Sequence, residues 1–291
     1  MGERGIDVLA TGPLVLVQDT GRPGYAALGV GHSGAADRSA HRLANRLVAN
    51  PDRAATLEIL LGGLVIQARE PLVVAITGAL SVPRINGAPG AYSAPMALAP
   101  GDILDLAPPE YGLRTCLAVA GGWVAPRVLG SASTDTLSRL GPGPVTRGAR
   151  LGVGAISPAR AAAAAVGARP PGPGTVCLEV LAGPRRDWLA DPDALLVDWT
   201  VSGQSDRVGT RLDGTPLAWA RSRVGVELSS EGVVRGAIQV PPSGLPVIFG
   251  PDHPVTGGYP VVGVLTEASS DALAQVRAGT AVRLRAVDRV G

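Results

Sequence analysis

Four loops of this 291-residue sequence place charged and hydroxyl side chains among glycines, and loops of this kind often carry binding or catalytic groups. The first loop leads through two glycine clusters to a predicted helix that starts near Ala36. A glycine-rich loop that enters a helix offers unpaired backbone N–H groups to an anion. The alternative is a helix capped by its own side chains. The candidate substrate- or phosphate-binding residues of this loop are Asp19, Arg22, Ser33 and Asp37.

The second loop, residues 202–211, combines acids with arginines. Arg207 and Arg211 are predicted to clamp a carboxylate or a phosphate, because guanidinium binds both in a bidentate manner. Ser205 and Asp206 complete the candidate binding residues of this loop. The alternative is a turn held by a surface ion pair, which contributes little to stability.

The third and fourth loops, residues 230–242 and 250–260, are the richest in polar groups between glycines and prolines. In the fourth loop Asp252 precedes His253, a pair suited to acid–base chemistry. The alternative is a rigid connector with a bulge, since prolines bracket a glycine pair. The candidate residues here are, for catalysis, Asp252, His253 and Thr256 and, for binding, Gln239, Gly257 and Gly258.

Two kinds of catalytic chemistry are excluded by the residues themselves. The segment GHSGA at 31–35 lacks the final glycine of a nucleophile elbow and does not join a strand to a helix in an α/β alternation, so a serine hydrolase is rejected. The sequence also contains no lysine, and all 26 basic residues are arginine. The chain therefore carries no biotin and no pyridoxal phosphate on a lysine, and has no Walker-A lysine.

The composition is that of a folded globular protein, with 46% apolar and 17% charged residues. A net charge of +2 and an aromatic content of 3% argue against nucleic-acid binding. No apolar run approaches the roughly 20 residues that span a bilayer, and the N-terminus lacks the order of a signal peptide, so a cytoplasmic protein is expected. Cys116 and Cys177 lie among apolar residues and are predicted to be buried thiols, and no metal site is expected.

The 40 glycines and 26 prolines favour short strands joined by turns. One helix is predicted from Ala36 to just before Pro51, with the apolar residues 40, 43, 44, 47 and 48 on one face. A second helix is predicted at 271–277 with Ser269 or Ser270 as its N-cap. The dipeptide Asn-Gly at 86–87 predicts a β-hairpin. Strands are predicted at 6–10, 14–19, 56–60, 64–68, 72–77, 81–85, 102–106, 113–119, 176–181, 224–228, 247–249, 261–265 and 282–286.

The clearest break in the sequence is AAAAA at 161–165 followed by RPPGPG at 169–174, which is typical of a stiff linker. The predicted organisation is an N-terminal β domain at 1–157, a linker at 158–174 and a C-terminal β domain at 175–291.

Motifs along nearly the whole chain resemble those of one family. In the N-terminal half they are QDTGRPG (18–24), SGAAD (33–37), LEI (57–59), LAVAGG (117–122) and VLGS (128–131). In the C-terminal half they are SDRVG (205–209), SEG (230–232), IQVPPSG (238–244) and TGGYP (256–260). By these motifs the chain resembles the biotin-dependent carboxyltransferase family, also known as allophanate hydrolase subunit 2, KipI antagonist or the C subunit of 5-oxoprolinase. It departs from the pattern at His253, where many members have Gln, and at Trp123.

The resemblance implies a mainly β fold of two cyclophilin-like β-barrel domains with a few short helices. It implies the C subunit of an ATP-dependent 5-oxoprolinase complex, a hydrolase that opens the lactam 5-oxoproline to glutamate, with Mg as the counter-ion of ATP. The chain alone is expected to be inactive. The implied partners are the B-type component of 5-oxoprolinase, bound tightly, and its A-type component, bound more loosely. A small-molecule substrate is implied, with neither nucleic acid nor membrane.

Two other functions fit the same family. One is an allophanate hydrolase or urea carboxylase-type carboxyltransferase subunit that receives carboxybiotin from another chain. The amidase that hydrolyses allophanate uses a serine–serine–lysine arrangement, which a chain without lysine cannot provide. The other is a non-catalytic regulator that binds a KipI-like partner. In the favoured function the first loop, the fourth loop and residues 205–211 are predicted to line one polar cleft, completed by the B-type partner.

Overall fold

A computed structural model describes residues 4–156 and 172–288 of the chain. These residues divide into two compact units. Within the described ranges, the first unit comprises residues 4–22, 33–135, 139–156 and 172, and the second comprises residues 23–32, 136–138 and 173–288. The predicted linker at 158–174 lies mostly outside the described residues, so the predicted domain limits stay a prediction.

The first unit is built from two antiparallel sheets around one hydrophobic core. The seven-stranded sheet has the order β11-β12-β1-β4-β9-β6-β7, and the five-stranded sheet has the order β2-β3-β10-β5-β8. Inward-facing residues alternate along the strands, as on β4, where Leu64 and Ile66 are fully buried. The strands are β1 Gly5–Ala10, β2 Leu14–Gln18, β3 Thr56–Leu60, β4 Leu64–Ala68, β5 Leu72–Leu80, β6 Arg84–Ile85, β7 Ala88–Pro89, β8 Pro95–Leu98, β9 Ile103–Leu106, β10 Tyr111–Val119, β11 Trp123–Val124 and β12 Arg150–Val153.

Helix α1, Arg38–Leu47, packs its apolar face on the five-stranded sheet. Ala40 and Ala44 lie against Ala75, Cys116 and Ala118, and these small side chains allow the helix to approach the sheet closely. The helical face predicted from the spacing of apolar residues is therefore confirmed.

The second unit contains a closed barrel with the strand order β13-β20-β17-β18-β15-β14-β21. Strands β13 and β21 pair in parallel, and the other barrel pairs are antiparallel. The barrel is filled by apolar side chains that include Trp199, Ile238 and Ile248. Its helix, α2, spans Glu267–Leu273. The strands are β13 Val176–Ala182, β14 Asp198–Val201, β15 Gly209–Asp213, β16 Glu231–Gly232, β17 Ala237–Gln239, β18 Val247–Phe249, β19 Thr256–Gly257, β20 Val261–Leu265 and β21 Ala281–Ala286.

The prediction of a mainly β fold with a few short helices is confirmed, since the described residues form 21 strands and two α-helices. The Asn-Gly hairpin is also confirmed, because Asn86 and Gly87 have φ angles of 52° and 82° and connect β6 to β7. In the described part of the chain, no helix has the length and apolar character needed to cross a membrane.

Three sequence-based predictions are wrong. Residues 224–228 form no strand, because no neighbouring strand pairs with them in the described structure, and Val224 is 69% exposed. The second helix begins earlier than predicted, since the side chain of Thr266 accepts the hydrogen bond from the Ser269 N–H and acts as its N-cap. Cys177 is exposed, because it alternates with the buried Leu178 and faces away from the barrel core. Cys116 is buried as predicted.

Candidate functional site

Asp19 follows β2 and is buried among hydroxyl and backbone donors of the first unit. Its carboxylate accepts hydrogen bonds from the hydroxyls of Ser131 and Ser133, both at 2.6 Å, and from the N–H groups of Ala132 and Gly21, both at 2.8 Å. The half-exposed Arg127 guanidinium lies 3.5 Å from the same carboxylate. Asp19 therefore holds the segment at 131–133 against the end of β2.

These donors determine the charge of Asp19. Burial acts most strongly, and alone it would raise the pKa of the carboxyl group. The hydrogen bonds from Ser131, Ser133, Ala132 and Gly21 together outweigh it, so the pKa lies below its usual value. Asp19 is therefore a stable anion, which suits a structural or electrostatic role better than that of a proton donor.

The side chain of Arg22 is completely buried. Its guanidinium donates to the carbonyl oxygens of Ser133 and, at 3.5 Å, Val128, and its Nη1 lies 3.9 Å from the carboxylate of Asp135. Within the described residues Nη1 has no hydrogen-bond acceptor. The cation predicted to bind a substrate anion therefore faces protein carbonyls in this conformation.

The remaining residues of the first loop organise the start of α1. Asp37 is the N-cap, and its carboxylate accepts from the Ala40 N–H at 2.8 Å. Ser33 has a positive φ of 54°, and its hydroxyl donates to the Thr134 carbonyl at 3.3 Å. Glu58 accepts from the Ala36 N–H at 2.8 Å. For Asp37 the structure thus matches the alternative of a helix capped by its own side chain.

In the second unit Arg207 and Asp252 form a buried bidentate ion pair. Arg207 Nε and Nη2 lie 2.8 Å and 3.1 Å from the two carboxylate oxygens, and both side chains are almost completely covered. Thr136 donates to the same carboxylate from its N–H at 2.9 Å and from its hydroxyl at 2.7 Å. The alternative of a surface ion pair is therefore wrong for Arg207, and Asp252 has four donors from these two residues alone.

The other residues of the second loop form a turn. Asp206 accepts from the N–H groups of Val208 and Gly209 at 2.8 Å and 3.0 Å, a side-chain-to-backbone pattern that fixes such turns. The Ser205 hydroxyl accepts from the Arg211 N–H at 3.0 Å, while the residue Arg211 is exposed. Arg207 and Arg211 therefore occupy contrasting surroundings, one buried and one exposed.

The fourth loop continues from Asp252 to a short ladder. The His253 ring donates from Nδ1 to the Pro254 carbonyl at 2.7 Å and lies against Phe249, with ring centroids 6.0 Å apart. Thr256 is exposed and pairs with Gly232 between β16 and β19. The catalytic roles of Asp252, His253 and Thr256 stay a prediction, as does the single cleft, since the first-loop residues belong to the first unit and these to the second.

Three of the predicted binding residues come together beside a cavity of the second unit. The Gln239 amide donates to the Tyr259 carbonyl at 2.9 Å, and a methyl group on Gly257 would lie 2.6 Å from the Gln239 Nε2. Gly258 and Tyr259 line a cavity of about 720 Å³, a volume typical of small-molecule sites. Its other lining residues are Trp188, Leu217, Ala218, Trp219, Val224, Gly225, Val226, Glu227, Leu228 and Pro242.

Part of the lining of this cavity is a pair of packed indoles that no sequence motif indicated. Trp188 and Trp219 pack edge to face, with centroids 5.5 Å apart and planes at 80°. Backbone pairing between Leu189 and Trp219 fixes the two segments. Arg223 stacks on Trp188 at 5.2 Å from the ring centroid and pairs with Asp187 at 2.7 Å. The sequence did contain one signal for this indole pair, since two of the four tryptophans lie on either side of the polar loop at 202–211.

The described residues contain no cluster of three or more His, Cys, Asp or Glu side chains that could hold a metal ion. Among the described polar groups, the buried carboxylates of Asp19 and Asp252 gather the predicted site residues, while Gln239, Gly257 and Gly258 lie at or beside the cavity.

The structure is thus that of a mainly β chain whose second unit contains a closed barrel. The chain belongs to the carboxyltransferase domain, subdomain A and B, family, whose model matches residues 28–286. A curated relative, the C subunit of 5-oxoprolinase from Escherichia coli (strain K12), is 35% identical over 290 residues. The match covers 94% of this chain and 88% of that protein.

Solved structures share the fold. The crystal structure of TTHA0988 superposes with a TM-score of 0.87 at 33% identity, covering 98% of this chain and 56% of that chain. The structure of the K. lactis urea amidolyase superposes with a TM-score of 0.89 at 29% identity, covering 99% of this chain and 19% of that chain. The present chain therefore spans only about half of the first solved chain and a fifth of the second.

Proposed function

We propose that this chain is the C subunit of an ATP-dependent 5-oxoprolinase, working with B-type and A-type partners and with Mg-bound ATP. The observation that carries the proposal is the 35% identity to a 5-oxoprolinase C subunit over nearly the full length of both proteins. The urea amidolyase match, in contrast, covers a small part of a much longer chain.

The chemistry of the chain supports a role within an assembly. With no lysine, the chain offers no covalent attachment point for biotin and no lysine-assisted amidase nucleophile. The buried carboxylates of Asp19 and Asp252 are committed to protein donors. The proposal is therefore that phosphoryl transfer to the lactam and ring opening are completed by groups from the partner proteins, and that this chain alone releases no glutamate.

Reconstitution tests the proposal. The purified chain is combined with its B-type and A-type partners, 5-oxoproline, ATP and Mg, and the release of glutamate and ADP is measured. We expect equal amounts of both products from the full set and no glutamate from the chain alone. Glutamate release by the isolated chain at the rate of the full set would contradict the proposal that it is one component of an assembly.

A second candidate is supported by the fold shared with the urea amidolyase. In that function the chain accepts a carboxyl group carried by biotin on another protein. The same reconstitution with bicarbonate, urea, ATP and a biotinylated carrier protein separates the two functions. Carboxylation of urea without 5-oxoproline-dependent glutamate release would favour the second candidate.

A further inference from the structure

The cavity of the second unit has a chemistry that none of the motifs explains. Its lining is aromatic and aliphatic, with Trp188 and Trp219 on one side and Val224, Val226 and Leu228 on another. Among the described lining residues Glu227 is the only charged one. A ligand suited to this lining has a largely apolar body and one group that donates a hydrogen bond to a carboxylate.

The indole wall lacks hydrogen-bond acceptors. Neither Trp188 nor Trp219 has an acceptor for its indole N–H among the described residues, although Trp188 is only 2% exposed. Buried indole N–H groups usually find a partner, because leaving them unpaired costs free energy. Both nitrogens are covered by protein atoms, so a small rotation of the more exposed Trp219 is needed to present its N–H to the cavity. A carbonyl oxygen on the ligand would then supply the missing acceptor.

The opposite wall is exposed and irregular. Residues 224–228 belong to no helix or strand, and Gly225 has a φ of 76°. Val224, Val226 and Tyr259 are 69%, 42% and 47% exposed, a concentration of apolar surface that a ligand would cover. The adjoining Tyr259 segment is in contrast fixed by Gln239. The lining thus combines a packed indole pair with an exposed segment that belongs to no helix or strand.

We propose that this cavity binds a small cyclic amide. The ring would lie against the indoles, the ring N–H would donate to the Glu227 carboxylate, and the amide carbonyl would accept from the Trp219 N–H. The identification with 5-oxoproline rests on the proposed function, since 5-oxoproline is a cyclic amide. Its own carboxylate would point towards Arg223, the cation stacked on Trp188, and away from Glu227.

Binding to the purified chain is the first test, read by calorimetry and by tryptophan fluorescence. The probes are 5-oxoproline, 2-pyrrolidinone, which keeps the cyclic amide without the carboxylate, and proline, which keeps the ring and the carboxylate without the carbonyl. We expect binding of the first two and no binding of proline. Equal binding of proline, or binding of none of the three, would contradict the proposed recognition.

Substitutions in the reconstituted assembly are the second test. Glu227→Gln replaces the charged acceptor with a neutral one, and Trp219→Phe removes the indole N–H donor while keeping an aromatic ring. Each is expected to raise KM for 5-oxoproline by about tenfold, because a hydrogen bond is weakened by loss of its charge in the first variant and lost in the second, while kcat stays within about twofold. Glu179→Gln is the matched control, since this glutamate is partly exposed on β13, pairs with Arg285 and lies outside the cavity lining.

The two proposals fail in distinguishable ways. An active assembly whose KM is unchanged by both cavity substitutions would overturn the cavity assignment and leave the proposed function intact. A wild-type assembly that releases no glutamate would overturn the proposed function, while cyclic-amide binding to the chain, lost in Glu227→Gln and Trp219→Phe, would still support the cavity. A loss of partner binding in these variants, without any cyclic-amide binding to the wild type, would identify the surface as a protein interface and overturn the cavity assignment.

Discussion

Asp19 in the first unit and Asp252 in the second are both buried carboxylates, yet their charge is balanced by different means. Asp19 is surrounded by two serine hydroxyls and two backbone N–H groups, with Arg127 only at 3.5 Å and half-exposed. Asp252 is paired with a fully buried guanidinium in bidentate geometry. Removing one neutral donor leaves the other donors in contact with the carboxylate, whereas removing one member of a buried ion pair leaves an uncompensated charge. The two centres should therefore respond very differently to substitution.

The largest effect is expected at Arg207. Replacing it with Ala leaves the Asp252 carboxylate buried without its bidentate cation, so the free energy of unfolding should fall by about 3–5 kcal/mol. Urea denaturation of the purified chain measures this. Arg211→Ala, in the same segment but exposed, is the control and should change stability by less than about 0.5 kcal/mol.

The same variant tests the predicted binding role of Arg207. If stability were unchanged while turnover of the reconstituted assembly fell, Arg207 would act on the substrate, as the sequence predicts, and its buried ion pair would be incidental. A stability loss with normal turnover per folded molecule assigns Arg207 and Asp252 to the framework of the fourth loop.

A smaller effect is expected for the hydroxyl donors of Asp19. Ser131→Ala removes one of four close donors to a charged acceptor and should destabilise the chain by about 1–3 kcal/mol. Arg127→Ala removes a half-exposed cation and should cost less than about 1 kcal/mol, measured in the same urea titration. The reverse order would show that Asp19, like Asp252, depends on an arginine.

The pH dependence of stability gives a third comparison. The folded-state pKa of Asp19 lies below its unfolded value of about 3.9, so its contribution is fully present above about pH 5 and is lost as pH falls through the folded pKa. The difference in the free energy of unfolding between the wild type and Asp19→Asn should therefore decrease as pH falls from about 5 to 3. Burial lowers the pKa of His41 and the Asp19 charge partly raises it, so His41 is replaced by Gln in both proteins to keep its titration out of the difference. A difference that increased at low pH would contradict the sign of the Asp19 shift.

The smallest effect is expected at the two thiols, one in each unit. A small alkylating reagent should modify the exposed Cys177 and spare the buried Cys116 in the folded chain, as read by mass spectrometry. Labelling of Cys177 should leave the unfolding midpoint unchanged, because its side chain contributes little to the core. Rapid labelling of Cys116 without unfolding would show that the sheet beneath α1 opens.

Local patterns in the sequence were enough to predict much of this fold. The strands at 56–60, 64–68, 247–249 and 261–265 were predicted with the observed limits, because apolar residues alternate or run between clear turn residues. The Asn-Gly hairpin and the face of α1 follow from equally local rules. Two β-barrel domains were expected, and only from the family resemblance, because strand pairing joins residues far apart in sequence. The described residues form a closed barrel in the second unit and two sheets in the first.

The polar residues were harder to interpret. Arg207 and Asp252 stand out in the sequence as groups that could do chemistry. They are 45 positions apart, however, and no local pattern indicates that they form a buried contact. Residues 224–228 have the composition of a strand, and only the absence of a pairing neighbour in the described fold turns them into a cavity wall. Trp188 and Trp219 pack against each other in the fold, and no local pattern in the sequence indicates this contact.

The Thr136 donor of the Asp252 centre has a consequence for how the chain is made. Thr136 belongs to the second unit together with Pro23–His32, although most of that unit follows residue 172. During synthesis on the ribosome these early segments emerge long before the barrel strands that they contact. The second unit therefore cannot finish folding until synthesis is nearly complete. A gene fragment that begins at residue 173 would encode a barrel in which Asp252 lacks both hydrogen bonds from Thr136.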